Sequence, residues 1–512
     1  MKVEPDYSAF ERAYADGRPQ VVWTRLVDDL ETPVSAYLKI AHGRPYAFLF
    51  ESVEGGAWRG RYSIVAMKPD LVWRCRGDAA EIAEGEAIAR GEFKPQAGGA
   101  LDSLRDLVSA CRLDLPPGLP PMAAGLFGAL GYDMVRLAEK LPHENPDPLD
   151  LPDAVMIRPS IVAIFDAIAQ EIILVTTVRR SSLSAKGAYD EAAARLEKVV
   201  FDLGKTLPAP GPRPEPDPDA FTSPVSREQY WAIVDKAKEY IRAGDIFQVV
   251  PSHRFRAPFR HDPFALYRSL RRTNPSPFLY YLNFPGFQLI GSSPEILVRL
   301  RDGKITIRPI AGTRRRGATP EEDAALAEEL RNDPKERAEH LMLLDLGRND
   351  VGRVAMLGQA GRNDPAARAA RKGPHVRVTD SFFIERYSHV MHLVSNVEGD
   401  APEHLDPVDV LMAALPAGTL SGAPKVRAME IIDELETEKR GIAYAGAVGY
   451  FGADGSIDTC IVLRTALTKD GTVYVQAGGG VVADSDPDAE YEETVQKSRA
   501  IRQAATEAWR FV

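Results

Sequence analysis

The run FLYYLNFPGFQLIGSS, residues 278–293, holds two β-rich segments, FLYYLNF and FQLIGSS, with only Pro285 and Gly286 between them. Runs rich in aromatic and branched residues and bounded by turn formers read as strands. Working outward, ITIRPIAG (305–312), AGAVGYFG (445–452), CIVLRTALT (460–468) and TVYVQAGGGVV (472–482) are further strands, interleaved with long helical stretches. Regular βαβ alternation is missing from that order. The expectation is therefore an α+β protein of antiparallel β-sheets layered with helices, not a doubly wound parallel one.

The 512 residues exceed one ordinary domain. The segment LPAPGPRPEPDPDAFTSP (207–224) is so rich in proline and acid that it reads as an extended linker. It sets the expected boundaries: an N-terminal α+β domain at 1–205, a linker at 206–225 and a catalytic domain at 226–512. Upstream, YAFLFES (46–52), SIVAM (63–67) and AVMIRPSIVAIFD (154–166) are β-rich, while EAIARGE (86–92) and AYDEAAARLEKVVFDL (188–203) are helical. Downstream, REQYWAIVDKAKEYIRAGD (227–245) is a helix capped by Ser226 and ended by Gly244, followed by a strand, IFQVVPSHRFRA (246–257). Residues 359–377, QAGRNDPAARAARKGPHVR, read as a basic loop insertion that repeats the GRND of 347–350.

A formal charge of -10 argues against a nucleic-acid partner but leaves room for a local basic site for a small acid. Three scattered cysteines suit neither a disulfide framework nor a zinc site, and so point to a reducing compartment. The acidic N-terminus is unlike a signal peptide, and the apolar region 154–178 is broken by Arg158, Asp166 and Glu171. A cytoplasmic location is expected, with no membrane. No phosphate-binding glycine loop supports nucleotide chemistry.

Two acidic pairs carry the first hint of chemistry. Glu336 with Glu339, and Glu490 with Glu493, each put two carboxylates on one helical face. Like charges three apart destabilise a helix by about 0.2–0.5 kcal/mol, so two such pairs meeting in one fold would want a cation. Mg²⁺ suits them, because it takes one or two carboxylates and leaves positions to water and an anionic substrate. With 73 acidic residues in the chain, such spacing also arises at Glu51 and Glu54, and a solvated helix face is the plain alternative.

The C-terminal half then strings together RPIAGTRRRG (308–317), KERAEHLMLLDLGRNDVGRV (335–354), ERYSHVMHLVSNVEG (385–399), GTLSGAPK (418–425), YAGAVGYF (444–451), CIVLRTA (460–466), QAGGGVV (476–482) and EYEETVQK (490–497). Together these resemble the chorismate-utilising enzymes, specifically the component I subunits of anthranilate synthase. FLFES (48–52) and GRYSIV (60–65) extend the resemblance over almost the whole chain. It implies the chorismate-utilising fold, with a smaller β-rich N-terminal domain packed on the catalytic one.

The resemblance also implies a site. Glu339 and Glu493 match the family's Mg²⁺ ligands, with Glu336 and Glu490 as helpers. Glu295 of GSSPEILV matches the general acid that protonates the departing C4 hydroxyl, and His392 the family histidine. Gln248 completes the expected catalytic set, although a carboxamide cannot be a base. Gly312, Thr313, Thr419, Tyr444, Arg464, Gly478, Gly479, Gly480 and Lys497 are the implied substrate contacts.

Two departures sort the relatives. Enzymes making 4-amino-4-deoxychorismate carry a lysine where this chain has Ala311, and isochorismate and salicylate synthases carry a lysine base where it has Gln248. Both point to ammonia as nucleophile at C2, followed by pyruvate elimination to anthranilate, the first step of tryptophan biosynthesis. No glutaminase cysteine motif is present, so the resemblance implies a separate amidotransferase subunit, component II, in a hetero-oligomer. Tryptophan is the implied feedback inhibitor, bound at Glu51, Ser52, Asn274, Pro277, Phe278 and Leu279 in an apolar lining. The contrasting reading is a catalytically silent amino-acid-binding regulator, which would need no Glu295, Glu339 and Glu493 together.

Overall fold

The computed structural model describes residues 1–52, 60–142, 144–207, 220–357, 376–387, 390–402 and 405–512. Most of the proline-rich linker and nearly all of the 359–377 insertion lie outside the described residues. The run that opens the sequence argument is a hairpin: strand Phe278–Phe284 pairs antiparallel with Phe287–Ser293, Phe284 opposite Phe287. Pro285 fixes one turn angle, and Gly286 takes φ +85°, where a side chain is disfavoured.

Every strand pair among the described residues is antiparallel, as the sequence order suggested. Two long strands, Tyr62–Arg76 and Ala154–Asp166, pair with each other and pass through both layers of one large curled sheet. Their outer parts bond Ala47–Ser52 and Glu171–Val178, and their other ends bond Ala79–Glu84 and Gly125–Leu130. A register shift between Pro69 and Leu71 lies between these parts.

From Ala47–Ser52 the first layer continues through the 278–293 hairpin to Thr465–Lys469, Thr472–Gly478 and Ser252–Pro258. From Gly125–Leu130 the second continues through Ala447–Gly452, Ile457–Ile461, Ile296–Arg301 and Lys304–Ile307 to Val390–Asp400. Strands from both sides of the linker are thus hydrogen-bonded to one another.

Side-chain alternation decides what each layer buries. On Ala47–Ser52, Phe48 points into a core it shares with Phe127, Tyr280 and Tyr450, while Leu49 points to the other face. The Phe127 ring lies 5.1 Å from Phe48 and 5.5 Å from Tyr450. Each such side chain contributes about 1.5–3 kcal/mol by leaving water. Helices cover the outer faces, Pro263–Thr273 and Pro487–Glu507 on one layer, Pro334–Leu357 and Pro407–Ala414 on the other.

Helix Arg227–Ala243 begins at Ser226 in a capping box with Gln229 and ends at Gly244 with φ +83°, matching its sequence signals. Three expected strands are broken instead. IFQVVPSHRFRA divides at Pro251: Gln248–Val249 joins Gly422–Ala423 in a separate two-stranded sheet, and Ser252–Pro258 joins the main one. A proline has no N–H to continue a ladder. ITIRPIAG divides at Arg308 and Pro309, and CIVLRTALT divides around Arg464, whose φ is +49°. No helix among the described residues is long and apolar enough to cross a membrane.

Candidate active site

The breaks are where the site residues sit. Strand Ile310–Arg315 pairs with Val390–Asp400, setting Thr313 opposite His392, with a bulge between Ala311 and Thr313. Gly312 in that bulge has φ +61°, and a Cβ there would stand 2.7 Å from Leu330 and 2.9 Å from a Glu336 oxygen. Only glycine suits both the angle and the approach.

His392 Nδ1 lies 3.1 Å from the Gly312 carbonyl and 3.1 Å from Thr313 Oγ1. A carbonyl can only accept, so Nδ1 carries the hydrogen and Nε2 is left with its lone pair. Burial pushes the His392 pKa down to about 4, opposed by the Gly312 bond and helped by the charge of Arg464. The ring is neutral at physiological pH.

Glu295 stands between strands Phe287–Ser293 and Ile296–Arg301, its carbonyl accepting from Ile461 N–H at 3.0 Å. Thr419, on the short turn Gly418–Leu420, directs Oγ1 to both carboxyl oxygens at 3.4 Å. Burial pushes the Glu295 pKa up to about 8, against smaller opposite effects of Thr419 and Arg464. Arg464 is itself half-buried, its pKa lowered by desolvation and raised by Glu295 and Tyr387. Glu295, His392, Thr419 and Arg464 are therefore one cluster, and sequence reasoning missed its fifth member, Tyr387. The Tyr387 ring lies 5.5 Å from His392, and its hydroxyl donates to Glu385 at 3.0 Å. It sits in the quoted ERYSHVMH run, and its N–H donates to the Val390 carbonyl at 2.8 Å, two residues before His392.

A second group of expected site residues gathers at the end of another strand. Strand Thr472–Gly478 runs into Gly479 and Gly480, and a Cβ on Gly479 would stand 2.7 Å from Glu490 Oε2. Tyr444 is buried with its hydroxyl 3.0 Å from where a Gly478 Cβ would be, and the Gln248 amide nitrogen stands 2.6 Å from the corresponding point on Gly480. Gln248 is buried, and its Oε1 has no hydrogen-bond partner. Lys497 pairs with Glu493 at 2.6 Å and donates to the Gly478 carbonyl at 3.1 Å.

Both acidic pairs are helical, on Pro334–Leu357 and Pro487–Glu507. Burial, then Glu336, then Glu493 raise the pKa of Glu339; burial and then Glu493 raise that of Glu490, against a bond from Ser485. The two helices thus present their acids to each other. Glu490 Oε2 is buried without a partner, while Glu336 is held by Arg314 at 3.0 Å. Among the described residues, no three acidic, imidazole or thiol groups already stand close enough to share one ion.

Most of the residues expected to bind an effector line a separate cavity that reaches Tyr387 of the Glu295 cluster and its partner Glu385. Pairing of Ala47–Ser52 with Phe278–Phe284 sets Ser52 opposite Phe278 and Glu51 opposite Leu279. With Pro277, these four line a cavity of about 890 Å³. Asn274 is not on its wall; it ends helix Pro263–Thr273, its side chain 3.4 Å from Ser292 Oγ. The Glu51 carboxylate is occupied by Tyr267 at 2.5 Å and Arg271 at 2.7 Å. The lining is also less apolar than expected, since Arg299, Arg301 and Asp458 are part of it.

A family model for chorismate binding enzymes matches residues 68–503. The chain belongs to the chorismate-binding enzymes. Within this enzyme family it is 57% identical, over 507 residues, to the anthranilate synthase component 1 of Cereibacter sphaeroides, covering 99% of this chain and 98% of that one. The protein of the same name from Synechocystis is 44% identical over 523 residues, covering 98% and 99%. The solved anthranilate synthase component I of Streptococcus pneumoniae superposes with a TM-score of 0.73 at 34% identity, covering 93% of this chain and 98% of that one. The menaquinone-specific isochorismate synthase of Escherichia coli, at 18% identity and a TM-score of 0.66 over 98% of both chains, shares the fold.

Proposed function

We propose that the chain is the chorismate-using component of an anthranilate synthase: it adds ammonia at C2, releases the C4 hydroxyl as water and eliminates pyruvate to leave anthranilate. The observation that carries this reading is Glu295, a buried carboxyl with a pKa of about 8 held against Thr419 and Arg464. Hydroxide leaves poorly, and an acid that keeps its proton at neutral pH is what its departure requires. Neutral His392, Nε2 free, accepts a hydrogen bond from the substrate or takes a ring proton. Gln248 Oε1, a buried acceptor without a partner, receives an ammonia N–H and turns the lone pair toward C2. Arg464, Lys497 and the backbone of Gly478, Gly479 and Gly480 hold the carboxylates. Ala311 brings no amine and Gln248 no base, which argues against aminodeoxychorismate, isochorismate and salicylate as products.

Mg²⁺ fits the acids on this chain. Glu490 Oε2 lacks a partner, and Glu339 and Glu490 are strained by like charge that a cation relieves. Glu339 and Glu493 are the ligands, helped by Glu336 and Glu490. When bound, the ion supplies positive charge that neutralises a substrate carboxylate and draws electron density from the ring.

All three cysteines are buried, and burial raises each thiol pKa, that of Cys75 to about 12. None is a nucleophile for glutamine, so ammonia comes from a separate amidotransferase subunit. Tryptophan, the end product, inhibits from the 890 Å³ cavity, its indole against Phe278 and its charged end toward Arg299, Arg301 and Asp458.

The test is incubation of the purified chain with chorismate, Mg²⁺ and excess ammonium. Equal amounts of anthranilate and pyruvate are expected; isochorismate, salicylate, aminodeoxychorismate or no turnover would overturn the reading.

A further inference from the structure

The reaction scheme leaves one buried acid on helix Pro334–Leu357 without work. Asp350 Oδ2 accepts from Lys425 Nζ at 2.8 Å, with 6% and 9% of the two side chains exposed. Its Oδ1 is also buried and has no hydrogen-bond partner. A lone buried carboxylate oxygen is costly, and the side chains that act on this carboxyl, Lys425, Arg353 and Asn349, leave Oδ1 short of a well-formed bond.

The same residue bounds a small cavity of about 30 Å³, whose walls include Glu295, Thr419, Leu346 and Ile461. A buried water needs about 10–15 Å³ and two to four polar partners, and occupies about 30 Å³ in the liquid. The space therefore holds a water, and Asp350 and Glu295 are both on its walls. Asp350 Oδ1, the Glu295 carboxyl and the Thr419 hydroxyl are the side-chain partners available. The other charged or polar groups nearby are Lys425, Arg353 and Asn349 around Asp350, and Arg464 beside Glu295.

We propose that Asp350 anchors a water in this cavity and is a positioning residue through which Glu295 recovers its proton on each turnover. The inference rests on Glu295 as the acid. Glu295 gives its proton to the C4 oxygen, the C4–O bond breaks, and water departs, leaving a carboxylate. The anchored water donates a proton to that carboxylate and regains one from solvent. Attack by neutral ammonia leaves a C2 ammonium, which releases its surplus proton to solvent, so the cycle balances.

Removing Asp350 alone would strand a buried lysine, so the test is the double variant Asp350→Leu with Lys425→Met, which fills the cavity and removes both charges. Expected are an unchanged KM for chorismate, a kcat at least about tenfold lower and a larger solvent deuterium isotope effect on kcat. Asp350→Asn with Lys425→Met keeps an acceptor and should restore most of kcat. A folded Leu/Met variant with the parent kcat and isotope effect overturns the proposal. The parent chain must first make anthranilate; if it does not, the proposed function fails instead. Should the variant not fold, a high-resolution crystal structure of the unaltered chain decides: a water within hydrogen-bonding distance of Asp350 Oδ1 supports the site, and a dry cavity overturns it.

Discussion

Glu295 holds a proton in the folded chain that the unfolded chain gives up, because burial lifts its pKa from 4.5 to about 8. The stability this contributes is complete below pH 4.5 and is lost as pH rises through 8. Glu295→Gln should therefore unfold at a higher temperature than the parent at pH 8, while the two converge near pH 4; equal melting at pH 8 would contradict the burial argument. Glu493→Gln should remove a proposed ligand without disturbing the fold, since the residue is exposed and, among the described residues, pairs with Lys497. Calorimetry should show loss of Mg²⁺ binding together with turnover, and unchanged binding would remove Glu493 from the metal site. Residue identity was legible here through motifs. Residue character was not, because the raised pKa of Glu295 comes from burial under elements distant in sequence, with Thr419 and Arg464, more than a hundred positions away, acting against it.

Elements were legible where local chemistry decides them. The Pro285–Gly286 turn, the Ser226 cap and the Gly244 stop all act through their own backbone, and all stand where the sequence puts them. The three divided strands were read as continuous because their apolar patterns are continuous, although Pro251 and Pro309 lack the N–H a ladder needs, and the interruptions at Pro251, Arg308–Pro309 and Arg464 fall beside site residues. Local rules fail most often at functional positions. Pairing of Ala47–Ser52 with Phe278–Phe284 was not legible, since register between distant strands leaves no local mark, yet it shapes the cavity proposed for tryptophan. Ser52→Phe should fill that cavity from its edge and weaken tryptophan inhibition at least about tenfold, or about 1.4 kcal/mol, with kcat within about twofold of the parent. Inhibition curves that superimpose would move tryptophan elsewhere. At the core of the layers, Phe127→Ala should cost about 3–5 kcal/mol in urea unfolding, because Phe48 and Tyr450 cannot both close on the space.

At the scale of the molecule, strands from both halves share one sheet, so cooperative unfolding of the two halves is expected. Of three buried histidines whose pKa values burial lowers to about 4, His253, His340 and His392, the first and last can be tested as a pair. Their contribution to stability is present above pH 6.5 and is lost as pH falls through 4, with a slope of at most about 2.7 kcal/mol per pH unit for the two. Denaturant midpoints between pH 7 and 4 for the parent and for His253→Gln with His392→Gln should diverge at neutral pH and approach each other in acid. Parallel curves would show that neither ring is buried neutral. The central claim concerns one proton on the whole enzyme: that Glu295 delivers it to the departing oxygen. The direct measurement is kcat for anthranilate against pH, with free ammonia held constant, for the parent and for Glu295→Gln. The parent should lose activity tenfold per unit above about pH 8, and the variant should lie about 10²–10⁴-fold lower with no such fall. A parent profile flat to pH 9.5, or a variant with parental kcat, would contradict the account.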